Sequence, residues 1–256
     1  MKILAIGDIV SRVGRNMVFE VLELLRPKVD FVVANAENAA HGRGMTKPVY
    51  EELLKSGIDV FTMGNHTWGC PDIAKVMRYN DNVIRPANFE GNVPGEGTTL
   101  LTADNGVRVG VINLIGRTYM TPAQNPFLKA DECIESLKDK ADIILVDFHA
   151  EATSEKIAMG YYLDGRVTAG FGTHTHVQTA DETVLTGGTG YITDLGMTGP
   201  GYSVLGMEKK TVVDKFIDGM PRKFEPANGR GQFSGCIFDV DEKTGKTLSC
   251  ERILIK

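Results

Sequence analysis

The chain has 256 residues and a mass of 27.9 kDa, with 42% hydrophobic and 24% charged residues, enough apolar material for a substantial core. A formal net charge of −5 and a pI near 5.6 exclude a protein that coats nucleic acid through a broad basic face, and no apolar run approaches the roughly 18 residues that span a bilayer. Four cysteines lie far apart with no CxxC pair, which argues against a structural zinc site or a disulfide framework and for reduced thiols in a cytoplasmic protein.

The N-terminal stretch MKILAIGDIV runs into Gly7-Asp8 without a small-residue cleavage site, so Lys2–Ile6 reads as a first core strand rather than a signal peptide. Asn16–Leu25 carries Val18, Val21, Leu22 and Leu25 at helical spacing. Asp30–Ala34 follows as a strand and Pro48–Lys55 as a helix stopped by Ser56-Gly57. Asp59–Met63 is a third strand, and a helix starts near Pro71. This alternation predicts βαβ units and a mainly parallel sheet. Beyond it, Thr98–Ala103 and Val107–Leu114 flank Asp104-Asn105-Gly106, a strong hairpin signal. A helix near Ala130–Lys138, a strand over Asp142–Asp147 and another over Val167–Phe171 come next. Thr183–Leu185 with Tyr191–Thr193, and Cys236–Val240 with Leu248–Ile255, enclose two further turns. The expectation is one α/β domain over residues 1–256, with a parallel half and a hairpin-rich half, two sheets packed together and helices outside.

Four of the five histidines follow apolar strands, in Gly64-Asn65-His66, Asp147-Phe148-His149 and Gly172-Thr173-His174-Thr175-His176. Gly7-Asp8 and Asn35-Ala36-Glu37-Asn38 also follow strands, and ligands of open α/β sheets sit at carboxyl ends of strands. Singly, each block has a plain explanation: a turn histidine, a helix cap at Asp8, a solvated charge at Glu37. Jointly they point to a shared site, and His174 and His176 alternate by two, so on extended backbone both face one side. Imidazole, carboxylate and amide oxygen together suit iron, manganese or zinc. Two such ions about 3.5–4 Å apart polarise phosphoryl oxygens and activate a bridging water for in-line attack. Asp8, Glu37, Asn38, Asn65, His149, His174 and His176 supply seven ligands, which leaves His66 to stabilise the transition state or protonate the leaving oxygen.

At these blocks the chain resembles the calcineurin-like metallophosphoesterases, whose pattern is DxH, GD, GNH, H and GHxH. The last three blocks match, with Thr173 inserted between Gly172 and His174. Val10 stands where DxH has its histidine and Ala36-Glu37-Asn38 where Gly-Asp is usual. Those departures, with ANAENA, GNHTWG, DFHAEATSEK, GTHTHVQTAD and DLGMTGP, resemble the YmdB-like branch over nearly the whole chain. The resemblance implies a four-layer α/β/β/α metallophosphoesterase sandwich and a centre of two transition-metal ions, iron first, with manganese or zinc as alternatives. It implies that Asp8, Glu37, Asn38 and His176 hold one ion, and that Glu37, Asn65, His149 and His174 hold the other, with Glu37 bridging. Asn38 then takes the place of the missing DxH histidine. The branch is associated with phosphodiesterase activity on 2′,3′- and 3′,5′-cyclic nucleotides.

The loop Gly196–Gly201 offers backbone amides of Gly196 and Gly199 to a phosphate, against a purely structural glycine-rich turn. Arg43 is a candidate phosphate fork, against a solvated loop arginine. Trp68 is expected to pack in the core rather than wall a cleft. The leading function is hydrolysis of a small phosphodiester, a cyclic nucleotide, by a metal-bridging hydroxide with His66 assisting. The alternative is a nucleotide-binding signalling regulator whose hydrolysis is weak or incidental. A small phosphorylated partner, no membrane, no extended nucleic-acid face and a possible homo-oligomer complete the expectation.

Overall fold

The computed structural model describes residues 1–256. Its elements in chain order are β1 (Lys2–Ile6), β2 (Asp8–Ile9), α1 (Ser11–Leu25), β3 (Phe31–Asn35), α2 (Lys47–Leu54), β4 (Val60–Thr62), α3 (Ile73–Tyr79), β5 (Val83–Ile84), β6 (Thr98–Thr102) and β7 (Arg108–Ile115). They continue with α4 (Pro126–Leu137), β8 (Ile143–His149), α5 (Thr153–Leu163), β9 (Ala169–Thr173), β10 (Thr183–Val184), β11 (Gly190–Ile192), β12 (Met197–Pro200), α6 (Lys209–Asp218), β13 (Gly231–Asp241) and β14 (Lys246–Ile255).

An eight-stranded sheet runs β2-β12-β13-β1-β3-β4-β5, with β14 beside β13, and a six-stranded sheet runs β10-β11-β9-β8-β7-β6. Period-two alternation puts Ile3, Ala5, Phe31 and Val33 of the first sheet against Val109, Val111, Ile143 and Leu145 of the second. The opposite faces of the same strands, Leu4, Ile6, Val32 and Ala34, pack under α1, α2 and α3 through Val18, Leu22, Leu53 and Ile73. Ile112, Leu114, Ile144 and Val146 pack under α4 and α5. The result is the four-layer α/β/β/α sandwich. No helix is long and apolar enough to cross a membrane.

The division into a parallel half and a hairpin-rich half is corrected: each sheet has a parallel centre, β1-β3-β4-β5 in one and β7-β8-β9-β11 in the other. The missing piece was α5, whose buried face includes Lys156 and so lacks a clean apolar stripe. Helix α1 starts at Ser11 rather than Asn16; Gly14, a poor helix former, masks its first turn in the sequence and is needed there because a Cβ would lie 2.2 Å from the Thr198 carbonyl oxygen. Part of the expected loop Gly196–Gly201 is strand β12, which pairs with β2 and β13. Because the two parallel centres point their carboxyl ends to one side, the turns after β1, β3, β4, β8 and β9 face each other across the seam between the sheets.

Candidate metal centre

Five chain segments meet at that seam. Asp8, Glu37 and His149 are completely or almost completely buried, at 0%, 1% and 0% exposure. The Nε2 of His149 has three electron-rich neighbours: Glu37 Oε1 at 3.1 Å, Asn65 Oδ1 at 3.0 Å and His174 Nδ1 at 3.1 Å. One ligand atom each from Glu37, His149 and His174 lie within 4.8 Å of one another. A second grouping is looser. His176 Nε2 lies 3.8 Å from Asp8 Oδ1 and 3.4 Å from the Asn38 amide nitrogen. A half-turn of that amide about χ2 exchanges Nδ2 for Oδ1, the ligating atom. Gly64 precedes Asn65 for a steric reason: a Cβ there would sit 2.3 Å from the His149 ring.

The donor chemistry fits transition-metal ions. His174 Nε2 lies 3.0 Å from Glu151 Oε2, and His176 Nδ1 lies 3.0 Å from the Leu205 carbonyl. Both partners only accept, so those nitrogens carry the hydrogens and the other ring nitrogens turn lone pairs toward the centre. A single hydrogen on His149 Nε2 would serve one of its three acceptors and leave two facing each other; a cation serves all three. Asp8 tells the same story. Its Oδ2 accepts from the His174 backbone N–H at 3.1 Å, while its Oδ1 is buried without a hydrogen-bond partner. Burial raises the carboxyls of Asp8 and Glu37 above their ordinary range. It pushes the imidazoles of His149 and His174 down to about 4, so both stay in the neutral form that binds metal. Nitrogen and oxygen donors without thiolate suit iron, manganese or zinc.

His66 lies at the solvent side of this cluster with about a third of its side chain exposed. Its backbone N–H donates to Glu37 Oε2 at 2.7 Å, and its Nδ1 lies 3.4 Å from Asn38 Oδ1, which leaves Nε2 outward. Burial holds its imidazole below the ordinary range, opposed by the Glu37 charge. Arg43 is exposed on the loop beyond Glu37, close enough for its charge to lower His66 as well. Its guanidinium has no protein partner.

Three expectations change. Trp68 is 42% exposed and tilted against Phe89 at 6.2 Å, at the rim and not in the core. Gly196 donates its N–H to Asp194 Oδ1 at 2.7 Å and accepts from the Asp8 N–H at 3.0 Å, so it has no amide left for a phosphate. Gly199 stands opposite Gln232 in the β12–β13 pairing. The structural alternative fits both glycines: the Gly196 N–H is spent on the Asp194 carboxylate, and Gly199 lies within the strand pairing of β12.

Two buried carboxylates beneath the centre, Asp194 and Asp147, have roles that their sequence blocks do not show. Asp194 accepts from Lys156 Nζ, from the Thr175 N–H at 3.2 Å, from Thr175 Oγ1 at 2.8 Å and from Gly196. Lys156 Nζ also donates to the Thr173 carbonyl at 2.6 Å. These bonds hold the loop in which His174 and His176 adopt left-handed φ values of 97° and 64°. Asp147 accepts from Thr62, Thr173 and Asn35 and lies one pleat behind His149 on β8, a period-two position that the strand pattern alone shows.

A family model described as YmdB-like protein matches residues 4–253. The chain is 49% identical to the 2′,3′-cyclic-nucleotide 2′-phosphodiesterase of Bacillus subtilis, over 100% of this chain and 97% of that one. A crystal structure of a Mycoplasma pneumoniae protein described as a novel phosphatase superposes with a TM-score of 0.93 at 38% identity, covering 100% of this chain and 93% of that chain. One of a hypothetical protein from Thermus thermophilus superposes with a TM-score of 0.94 at 37% identity, covering 99% and 98%.

Proposed function

Because the chain belongs to the YmdB-like family, we propose that it is a metal-dependent phosphodiesterase that hydrolyses small cyclic nucleotides, the 2′,3′-cyclic monophosphates first. The observation that carries this reading is the convergence of Glu37, Asn65 and His174 on the Nε2 of buried His149 beside partly exposed His66. Glu37, Asn65, His149 and His174 would hold one ion, and Asp8, Asn38 and His176, with Glu37 shared, would hold a second. Bound there, iron or manganese would supply Lewis acidity for the phosphoryl oxygens and an activated water for attack on phosphorus.

The chain's own groups do the rest. Arg43, with its guanidinium unspent, binds the non-bridging oxygens at the rim. Trp68 offers a ring face to the nucleoside. When the ring P–O bond breaks, the departing sugar oxygen needs a proton, and His66 Nε2 gives it. Reduced cysteines agree with a cytoplasmic setting, since all four are unpaired.

The test pairs elemental analysis of the purified protein with assays on 2′,3′- and 3′,5′-cyclic monophosphates. Glu37→Gln keeps the acceptor for the His66 N–H but removes the charge, so the variant should fold, lose metal and lose hydrolysis. Full hydrolysis by that variant would sink the shared-carboxylate assignment. Tight nucleotide binding by the metal-loaded wild type without turnover would favour the regulator instead.

A further inference from the structure

We propose that Thr173 and Asp147 form a hydroxyl–carboxylate relay that fixes the tautomer of His149 and leaves its Nε2 lone pair facing the metal centre; the inference rests on the metal-dependent reading above. Thr173 is the residue by which Gly172-Thr173-His174-Thr175-His176 exceeds a GHxH block. It ends β9 directly opposite His149, the last residue of β8.

The direction of each hydrogen follows from counting. Thr173 Oγ1 lies 2.7 Å from Asp147 Oδ1 and 2.9 Å from His149 Nδ1. A hydroxyl has one hydrogen to donate, and an ionised carboxylate has none. Thr62 Oγ1 and Asn35 Nδ2 also direct hydrogens at Asp147, both to Oδ2, so the carboxylate is surrounded by donors. Burial raises the Asp147 carboxyl to about 7, but the hydrogen bonds from Thr62, Thr173 and Asn35 favour its ionised form, in which the hydrogen of Thr173 goes to Asp147 and the Thr173 oxygen accepts from His149 Nδ1–H.

The competing donor to that nitrogen is Asn35 Nδ2, 3.4 Å from His149 Nδ1. Its amide is oriented by the Glu37 backbone N–H, which donates to Asn35 Oδ1 at 3.1 Å. Its two hydrogens then serve Asp147 Oδ2 at 3.3 Å and the Met63 carbonyl at 3.4 Å, and none remains for the imidazole. Thr173, Asp147 and His149 are all 0% exposed, so no bulk water competes for these bonds.

The relay completes a set. Glu151 and the Leu205 carbonyl already determine the tautomers of His174 and His176, whereas the nearest carboxylate oxygen to His149 Nδ1 is Asp8 Oδ1 at 4.0 Å. The inserted hydroxyl is the acceptor that reaches it, at 2.9 Å. Partners that orient a metal-binding histidine are typically worth about 10–100-fold in affinity.

The experiment titrates metal-free full-length protein with Mn²⁺ by calorimetry and records nitrogen-15 spectra of labelled histidine. Wild type should show His149 protonated at Nδ1 before metal is added. Thr173→Val, equal in shape but without a hydroxyl, should bind Mn²⁺ about 10–100-fold more weakly, and Thr173→Ser should restore most of the affinity. Equal Mn²⁺ affinity in wild type and a folded Thr173→Val would overturn the relay alone. A wild-type His149 protonated at Nε2 would overturn it without any variant, so a variant that fails to fold leaves the matter decidable. A wild type that takes up no Mn²⁺ would overturn the metal reading, and this inference with it.

Discussion

Lys156→Met is the substitution whose cost follows most directly from the structure. Lys156 and Asp194 are 2% and 1% exposed, and their ion pair lies under the histidine loop. Methionine has a similar length and fills the space, so little of the effect comes from a cavity. What remains is a buried Asp194 carboxylate without its cation. Removing one partner of a buried pair costs about 3–5 kcal/mol. Asp194 keeps three donors, Thr175 N–H, Thr175 Oγ1 and the Gly196 N–H, which places the loss near the lower bound, about 3 kcal/mol. In a chain of this size that lowers Tm by about 6–12 °C. Thermal unfolding and urea titration of the metal-free protein measure it. Asp194→Asn should cost a similar amount, and the double variant Lys156→Met/Asp194→Asn should lose less than the sum, since the two side chains interact. A loss below about 1 kcal/mol in Lys156→Met would refute the claim that this pair holds the loop.

His66→Ala should retain metal yet lose turnover by about 100–10,000-fold, read from metal content and initial rates; loss of metal would instead make His66 a ligand. Gly64→Ala puts a methyl 2.3 Å from the His149 ring, so it should cost about 1–3 kcal/mol and weaken metal uptake, whereas unchanged stability and metal content would contradict the packing. Burial raises the carboxyls of Asp8 and Glu37, and metal binds only their ionised forms, so binding must expel protons and affinity should rise with pH. Calorimetry at about pH 5.5 and about pH 8 tests the sign, and equal affinities would contradict it.

Much of the fold is legible along the chain because it is local. The unbroken apolar run Ile3, Leu4, Ala5 and Ile6 marks a strand buried on both faces, and the Asp104-Asn105-Gly106 turn marks the β6–β7 hairpin without reference to anything distant. The polar blocks are legible for the same reason: Asp8, Glu37-Asn38, Asn65-His66, His149 and His174-His176 each interrupt an apolar strand at its end. Residue type and position relative to a strand are properties of a short window.

What only the tertiary structure decided involves partners far apart in sequence. Asn35 meets Asp147 across 112 residues, and Asn38 meets His176 across 138. Within its own window Asp147 is one polar residue ending an apolar run, and Lys156 is a charge that obscures the stripe of α5. Both become intelligible when the two sheets close and each buried charge finds its donors. The tautomers of His149, His174 and His176 belong here too, since Thr173, Glu151 and the Leu205 carbonyl set them through space. Sequence periodicity records which face a side chain takes; it carries no record of what that face will meet, and in this protein the chemistry lies in those meetings.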